Sequence, residues 1–194
     1  MLNKTFYHAI AKHHRERSAA RRELQQISAD LLAASKRAIF ATQRNAEAES
    51  ANELAQGLRY IKKGNGILKK EPELGQEGMW RAGLEEFAEA TLYHHAVVHG
   101  RIGEVRGIPQ DPEIYVGALS DVTGELTRSA VLAATKRDAD AVQRYGDMIR
   151  DAVAFLLTMN LTGASRQKFD QAKQNLRKIE EIAFTLSVNG SRGS

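Results

Sequence analysis

The stretch SAARRELQQISADLLAASKRAIFATQ, residues 18–43, decides the fold class. Leu24, Ile27, Leu31, Ala34 and Ala38 recur in it at alternating steps of three and four, the spacing of one apolar stripe along a helix. No stretch shows the period of two that a half-buried strand requires. Working outward, the spacing predicts a second helix over residues 46–63, stopped by Gly64, Asn65 and Gly66, and a third over 79–99, stopped by Gly100. Asp111 as N-cap and Pro112 at the first helical position open a fourth over 112–135. A fifth is predicted over 138–159, ending near Gly163, and a sixth over 165–188 with Ser165 as N-cap. Residues 71–78 with Pro72, and 100–110 with Gly103, Gly107 and Pro109, read as connections, and 189–194 as a polar tail. Long helices joined by short loops predict an all-α, single-domain multi-helix bundle of about six to seven helices over residues 1–188. There is neither an internal repeat nor a low-complexity tract.

Composition narrows the function. The 194 residues include no cysteine, which removes disulfides, thiolate zinc sites, Fe–S clusters and thiol catalysis together. No apolar run approaches the roughly 18 residues of a membrane span, and the first residues lack the apolar core of a secretion signal, so a cytoplasmic protein is expected. The chain carries 28 basic and 24 acidic residues, a net +4. Residues 1–44 hold nine basic residues (Lys4, Lys12, Arg15, Arg17, Arg21, Arg22, Lys36, Arg37, Arg44) against Glu16, Glu23 and Asp30. That is +6 for this segment and leaves −2 for the rest. A basic helix on a faintly acidic body suits a polyanion, because phosphate neutralisation drives sequence-independent binding; the plainer alternative is a solvated helix face.

Glu86 and Glu89 are three apart on the third predicted helix, and Asp121 and Glu125 four apart on the fourth, so each pair shares a helix face. Either pair alone is explained by solvent or by a neighbouring Arg81 or Arg128. If the two faces meet, carboxylates about 5 Å apart repel by roughly 3 kcal/mol at an effective dielectric of about 20, and the cluster needs protons or a cation. All-oxygen donors select hard divalent ions, Mg²⁺ or Mn²⁺, which generate hydroxide and stabilise phosphoryl charge; with the basic helix this points to phosphodiester hydrolysis. The Glu-x-x-His, HExxH, P-loop and GxGxxG patterns are missing, so di-iron, zincin, Walker-type and dinucleotide chemistry have no support. His13, His14, His94, His95 and His99 stay unassigned between metal, phosphate and ordinary helix roles. Trp80 reads as core or as a base-stacking residue.

Four stretches resemble the translin family, and the translin-associated factor X (TRAX) branch more than translin itself. They are Ser35-Lys36-Arg37-Ala38-Ile39-Phe40; Gly83-Leu84-Glu85-Glu86-Phe87-Ala88-Glu89-Ala90; Asp121-Val122-Thr123-Gly124-Glu125-Leu126-Thr127-Arg128; and Lys178-Ile179-Glu180-Glu181 through Leu186 to Gly190. The resemblance implies an all-α fold of about seven helices, barrel-like oligomers enclosing nucleic acid and, for the TRAX branch, Mg²⁺-dependent endoribonuclease activity. Its catalytic acids fall on Glu86, Glu89, Asp121 and Glu125. Translin has a basic residue in place of Glu86 and no acid in place of Asp121, which points to a catalytic subunit. Gly75, Glu77 and Met79 replace translin's basic, His-rich approach to the Trp80-Arg81 pair, and the compact connection at 100–111 replaces a long loop of animal TRAX. The first departure weakens the carry-over of those binding positions; the compact connection, with TRAX-like acids beside a translin-like Trp80-Arg81, fits a prokaryote-like, self-assembling member that needs no separate partner.

The expectation is a homo-oligomeric, octamer-like barrel that cleaves single-stranded or locally unpaired RNA. Glu86, Glu89 and Glu125 are expected to ligate Mg²⁺, with Mn²⁺ as a substitute, and Asp121 to be a further ligand or to orient the attacking water. Lys36, Arg37, Arg81 and Arg128 are the candidate phosphate contacts, Lys36 and Arg37 alternatively pairing with Glu across a subunit interface. The rival expectation is a non-catalytic oligomer of translin type that binds single-stranded RNA or DNA, its acids structural. A helical assembly protein without nucleic acid is the third.

Overall fold

A computed structural model describes residues 1–190, with side chains through 188. Among the described residues the chain forms six α-helices and one short 3₁₀ turn, with no strand. The helices are α1 (Lys4–Gln43), α2 (Glu47–Leu68), α3 (Gly78–His99), α4 (Pro112–Thr135), α5 (Ala139–Leu157) and α6 (Gly163–Gly190), and the 3₁₀ turn is Pro72–Gln76. Asp111 caps α4 as expected, its carboxylate accepting from the backbone N–H groups of Glu113 and Ile114. Gly100 ends α3 at φ 67°, the left-handed conformation that glycine adopts without a Cβ penalty.

Three boundaries differ from expectation. α1 begins at Lys4, not near residue 18, with the Asn3 side chain accepting from the Phe6 N–H at 3.2 Å. Residues 1–16 are all exposed, so the core imposes no apolar stripe there for periodicity to detect. α2 continues through Gly64, Asn65 and Gly66 to Leu68. A Cβ on Gly64 would come within 2.3 Å of the Trp80 ring, so this glycine admits the indole and does not stop the helix. α6 starts at Gly163, so Ser165 lies inside it and is not its N-cap, and it runs to Gly190. Of the expected polar tail, 191–194 lie outside the described residues.

α1 packs on α2 and α3, while α4 packs on α3, α5 and α6, so the α3–α4 contact joins two helical halves. The stripe read from the sequence is the buried face of α1, with Leu24, Ile27, Leu31, Ala34 and Ala38 all in the core. Leu24, Ile27, Leu31 and Ala38 share one cluster with Trp80, Leu84 and Phe87 of α3; Leu126 of α4, Ile149 and Leu156 of α5 and Ile179 of α6 complete it. Full burial of such side chains contributes about 1.5–3 kcal/mol each, and this fixes which face of α3 is left for α4 and α6.

Candidate metal and nucleic-acid site

On the packed pair α3 and α4 the two acid-bearing faces meet. Glu86, Glu89, Asp121 and Glu125 are all partly buried, and Asp121 and Glu125 act electrostatically on both Glu86 and Glu89. Burial raises the Glu86 carboxyl; Asp121 and Glu125 add to the shift, while Lys36 and Lys168 oppose it. Glu89 is pushed up to about 8, first by burial and then by Asp121, Glu86 and Glu125. The four acids singled out from helical spacing therefore share one electrostatic neighbourhood.

Their counter-charge comes from a residue that sequence reasoning missed. The Lys168 ammonium of α6 donates to Glu85 at 2.6 Å and to Asp121. Gln43, at the C-terminal end of α1, donates to Glu125. The expected partners are occupied elsewhere or lie outside. Arg81 forks onto Asp111 at 2.7 and 3.2 Å and onto Glu113 at 2.8 Å, and that hydrogen bonding holds the Asp111 carboxyl below its usual range. Arg128 is exposed and makes no ion pair among the described residues. Glu85 carried a signal of its own, as the third acid of Gly83–Ala90. Lys168 and Gln43 carried none, because each depends on how a distant helix registers against α4.

The expected phosphate contacts divide in two. Lys36 and Arg128 are exposed and free of ion pairs among the described residues, and the Lys36 charge reaches Glu86. Arg37 instead makes a two-pronged contact with Glu53 of its own chain, both bonds 2.9 Å, and Arg81 is held as described. The donor set has the chemistry of a hard-divalent site. Its present arrangement does not form one, since among the described residues no group of three or more acidic or histidine side chains is placed to hold a metal ion. Asp121 faces an ammonium and Glu125 an amide instead.

The remaining expectations concern Trp80 and the histidines. Trp80 is 1% exposed and belongs to the core, which leaves no ring face for a base. His94 is buried, with Nδ1 2.9 Å from Ser50 Oγ, which in turn lies 2.7 Å from Thr42 Oγ1; this chain pins α3 to α2 and α1. Burial lowers the His94 and His95 pKa values, and the His99 charge lowers both further. The rings of His94, His95 and His99 stand 5.6–6.3 Å apart beside an open cavity of about 650 Å³. No helix among the described residues is long and apolar enough to cross a membrane.

The model of the Translin family matches residues 19–190, nearly the whole chain. The chain belongs to the Translin family. Translin of Gallus gallus is 31% identical over 86 residues, which is 44% of this chain and 38% of the chicken protein's length. Among solved structures, apo-NeC3PO superimposes with a TM-score of 0.85 at 19% identity, covering 96% of this chain and 98% of the other. AfC3PO gives 0.87 at 19% identity, covering 94% and 97%. AfC3PO in complex with duplex RNA gives 0.73 at 18% identity over the same shares. At these identities the likeness establishes the translin fold, which the six helices share.

Proposed function

We propose that the chain is a metal-dependent endoribonuclease of the TRAX branch, self-assembling into a barrel-like homo-oligomer and cutting single-stranded or locally unpaired RNA. The observation that carries this reading is the convergence of Glu86, Glu89, Asp121 and Glu125 on the α3–α4 seam, where Glu89 is pushed up to about 8. Such a concentration of half-buried acids stabilises nothing by itself, and clusters of this kind are found where chemistry needs them. Family membership and the likeness to AfC3PO in its complex with duplex RNA support RNA as the ligand class. In this reading a hard divalent ion, Mg²⁺ or Mn²⁺, supplies the activated hydroxide when bound. The chain's own acids orient it and the attacking water, while Lys36 and Arg128 hold the RNA phosphates from the exposed rim.

The rival reading is a binding oligomer whose acids are structural, and the capture of Asp121 by Lys168 and of Glu125 by Gln43 is the observation in its favour. One experiment separates the two. Wild type and Glu125→Ala are incubated with labelled single-stranded and duplex RNA, with Mg²⁺ or with EDTA, following binding and product length. The nuclease reading expects products from wild type with Mg²⁺ alone, and retained binding without cleavage by the variant. Binding without cleavage in every condition establishes the rival.

A further inference from the structure

Four carboxylates here have the chemistry of a divalent site without its arrangement, and Lys168 is the side chain that stands between the two. Its ammonium bridges helices, bonding Glu85 of α3 at 2.6 Å and Asp121 of α4, and its charge also reaches Glu86 and Glu89. Of its two direct partners, only Asp121 belongs to the proposed reaction. Glu85 is an anchor outside that set, seated so closely against α4 that a Cβ on Gly117 would fall 2.2 Å from its Oε2.

Resting on the reading above, we infer that Lys168 is a positioning residue that keeps the place of the divalent ion. Its ammonium neutralises Asp121 while the ion is away, gives Asp121 up when the ion arrives, and stays tethered to Glu85. Three points support this. An ammonium and a divalent cation compete for the same carboxylate oxygens, so occupancy by one excludes the other. The exchange never leaves Asp121 without a counter-charge, the state that is most costly for a partly buried acid. The pair is also open enough to part, with the Lys168 and Asp121 side chains 32% and 35% accessible, a degree of exposure at which an ion pair is weak.

The test is a titration of Mn²⁺ alone into the full chain without RNA, followed by the electron paramagnetic resonance signal of the free ion. Lys168→Met is expected to bind Mn²⁺ roughly tenfold more tightly than wild type, and Lys168→Arg about as wild type does. Lys36→Met controls for general charge removal, since Lys36 also acts on Glu86 but does not touch Asp121. A gain of about threefold or less is expected there. Unchanged or weaker Mn²⁺ binding by Lys168→Met overturns the inference, as does an equal gain in Lys36→Met or no Mn²⁺ binding by any variant. Should Lys168→Met lose its helical circular dichroism, Lys168→Gln removes the same charge and is read against the same expectations. Wild-type RNA cleavage is measured alongside. Its absence overturns the nuclease reading, whereas its presence with unchanged Mn²⁺ affinity overturns only the role of Lys168.

Discussion

Glu89 holds a proton that the unfolded chain has already released at neutral pH. With its carboxyl pushed up to about 8 from an ordinary 4.5, the folded state binds more protons than the unfolded state between those values. Stability therefore falls as pH rises through that window and levels off above it, with Glu86 adding in the same direction. Glu89→Gln removes a charge that folding must neutralise. In EDTA, the variant is expected to lose less stability than wild type between about pH 5 and 9, the gap reaching on the order of a few kcal/mol. Urea midpoints across that range check this, and parallel curves would remove Glu89 as the cause. The four acids were legible in the sequence because i, i+3 and i, i+4 spacing alone fixes a shared helix face. Lys168 and Gln43 were not, because their place depends on the packing of α6 and α1 against α4, which no local pattern records.

Along the helices, α2 shows how a correct local rule reads the wrong cause. Glycine signals a helix end when it adopts a left-handed turn, as Gly100 does at φ 67°. Gly64 instead leaves room that the Trp80 ring fills, and Gly66 two residues on faces open space. The two glycines predict opposite outcomes. Gly64→Ala forces a Cβ to 2.3 Å from a buried indole and is expected to cost about 1–3 kcal/mol despite the better helix propensity. Gly66→Ala gains propensity without a clash and is expected to stabilise by roughly 0.5–1 kcal/mol. Urea unfolding of both variants tests the pair, and destabilisation by both would assign Gly64 a role in backbone conformation rather than packing. The helices α1 and α3–α5, whose stripes or caps serve the core, were read almost to the residue at their buried ends. The start of α1 was missed because it serves no core in this chain.

For the whole molecule, charge is sorted unequally. Several basic residues of α1 and its C-cap are spoken for within the chain: Arg17 by Glu73, Arg21 by Glu77, Arg37 by Glu53 and, at the cap, Arg44 by Glu49. Lys4, Arg15, Arg22 and Lys36 make no ion pair among the described residues and are the ones open to a polyanion. RNA affinity is expected to fall steeply with salt, the logarithmic slope scaling as roughly 0.7 per phosphate neutralised on a single strand. Replacing Lys4, Arg15 and Arg22 together with Gln should flatten that slope, and an unchanged slope would place the RNA on another surface. The bundle was legible from periodicity and the acid pairs from their spacing on two helices, whereas the sharing of charge between helices emerged only from their packing. The exposed beginning of α1 also changes how this protein travels through solvent. Thirteen exposed residues of a continuous helix, 4–16, about 20 Å at 1.5 Å each, project drag without adding volume. The chain then elutes ahead of a sphere of its 21.5 kDa, so a column calibrated on compact standards overstates how many copies assemble. Light scattering or sedimentation equilibrium counts them by mass.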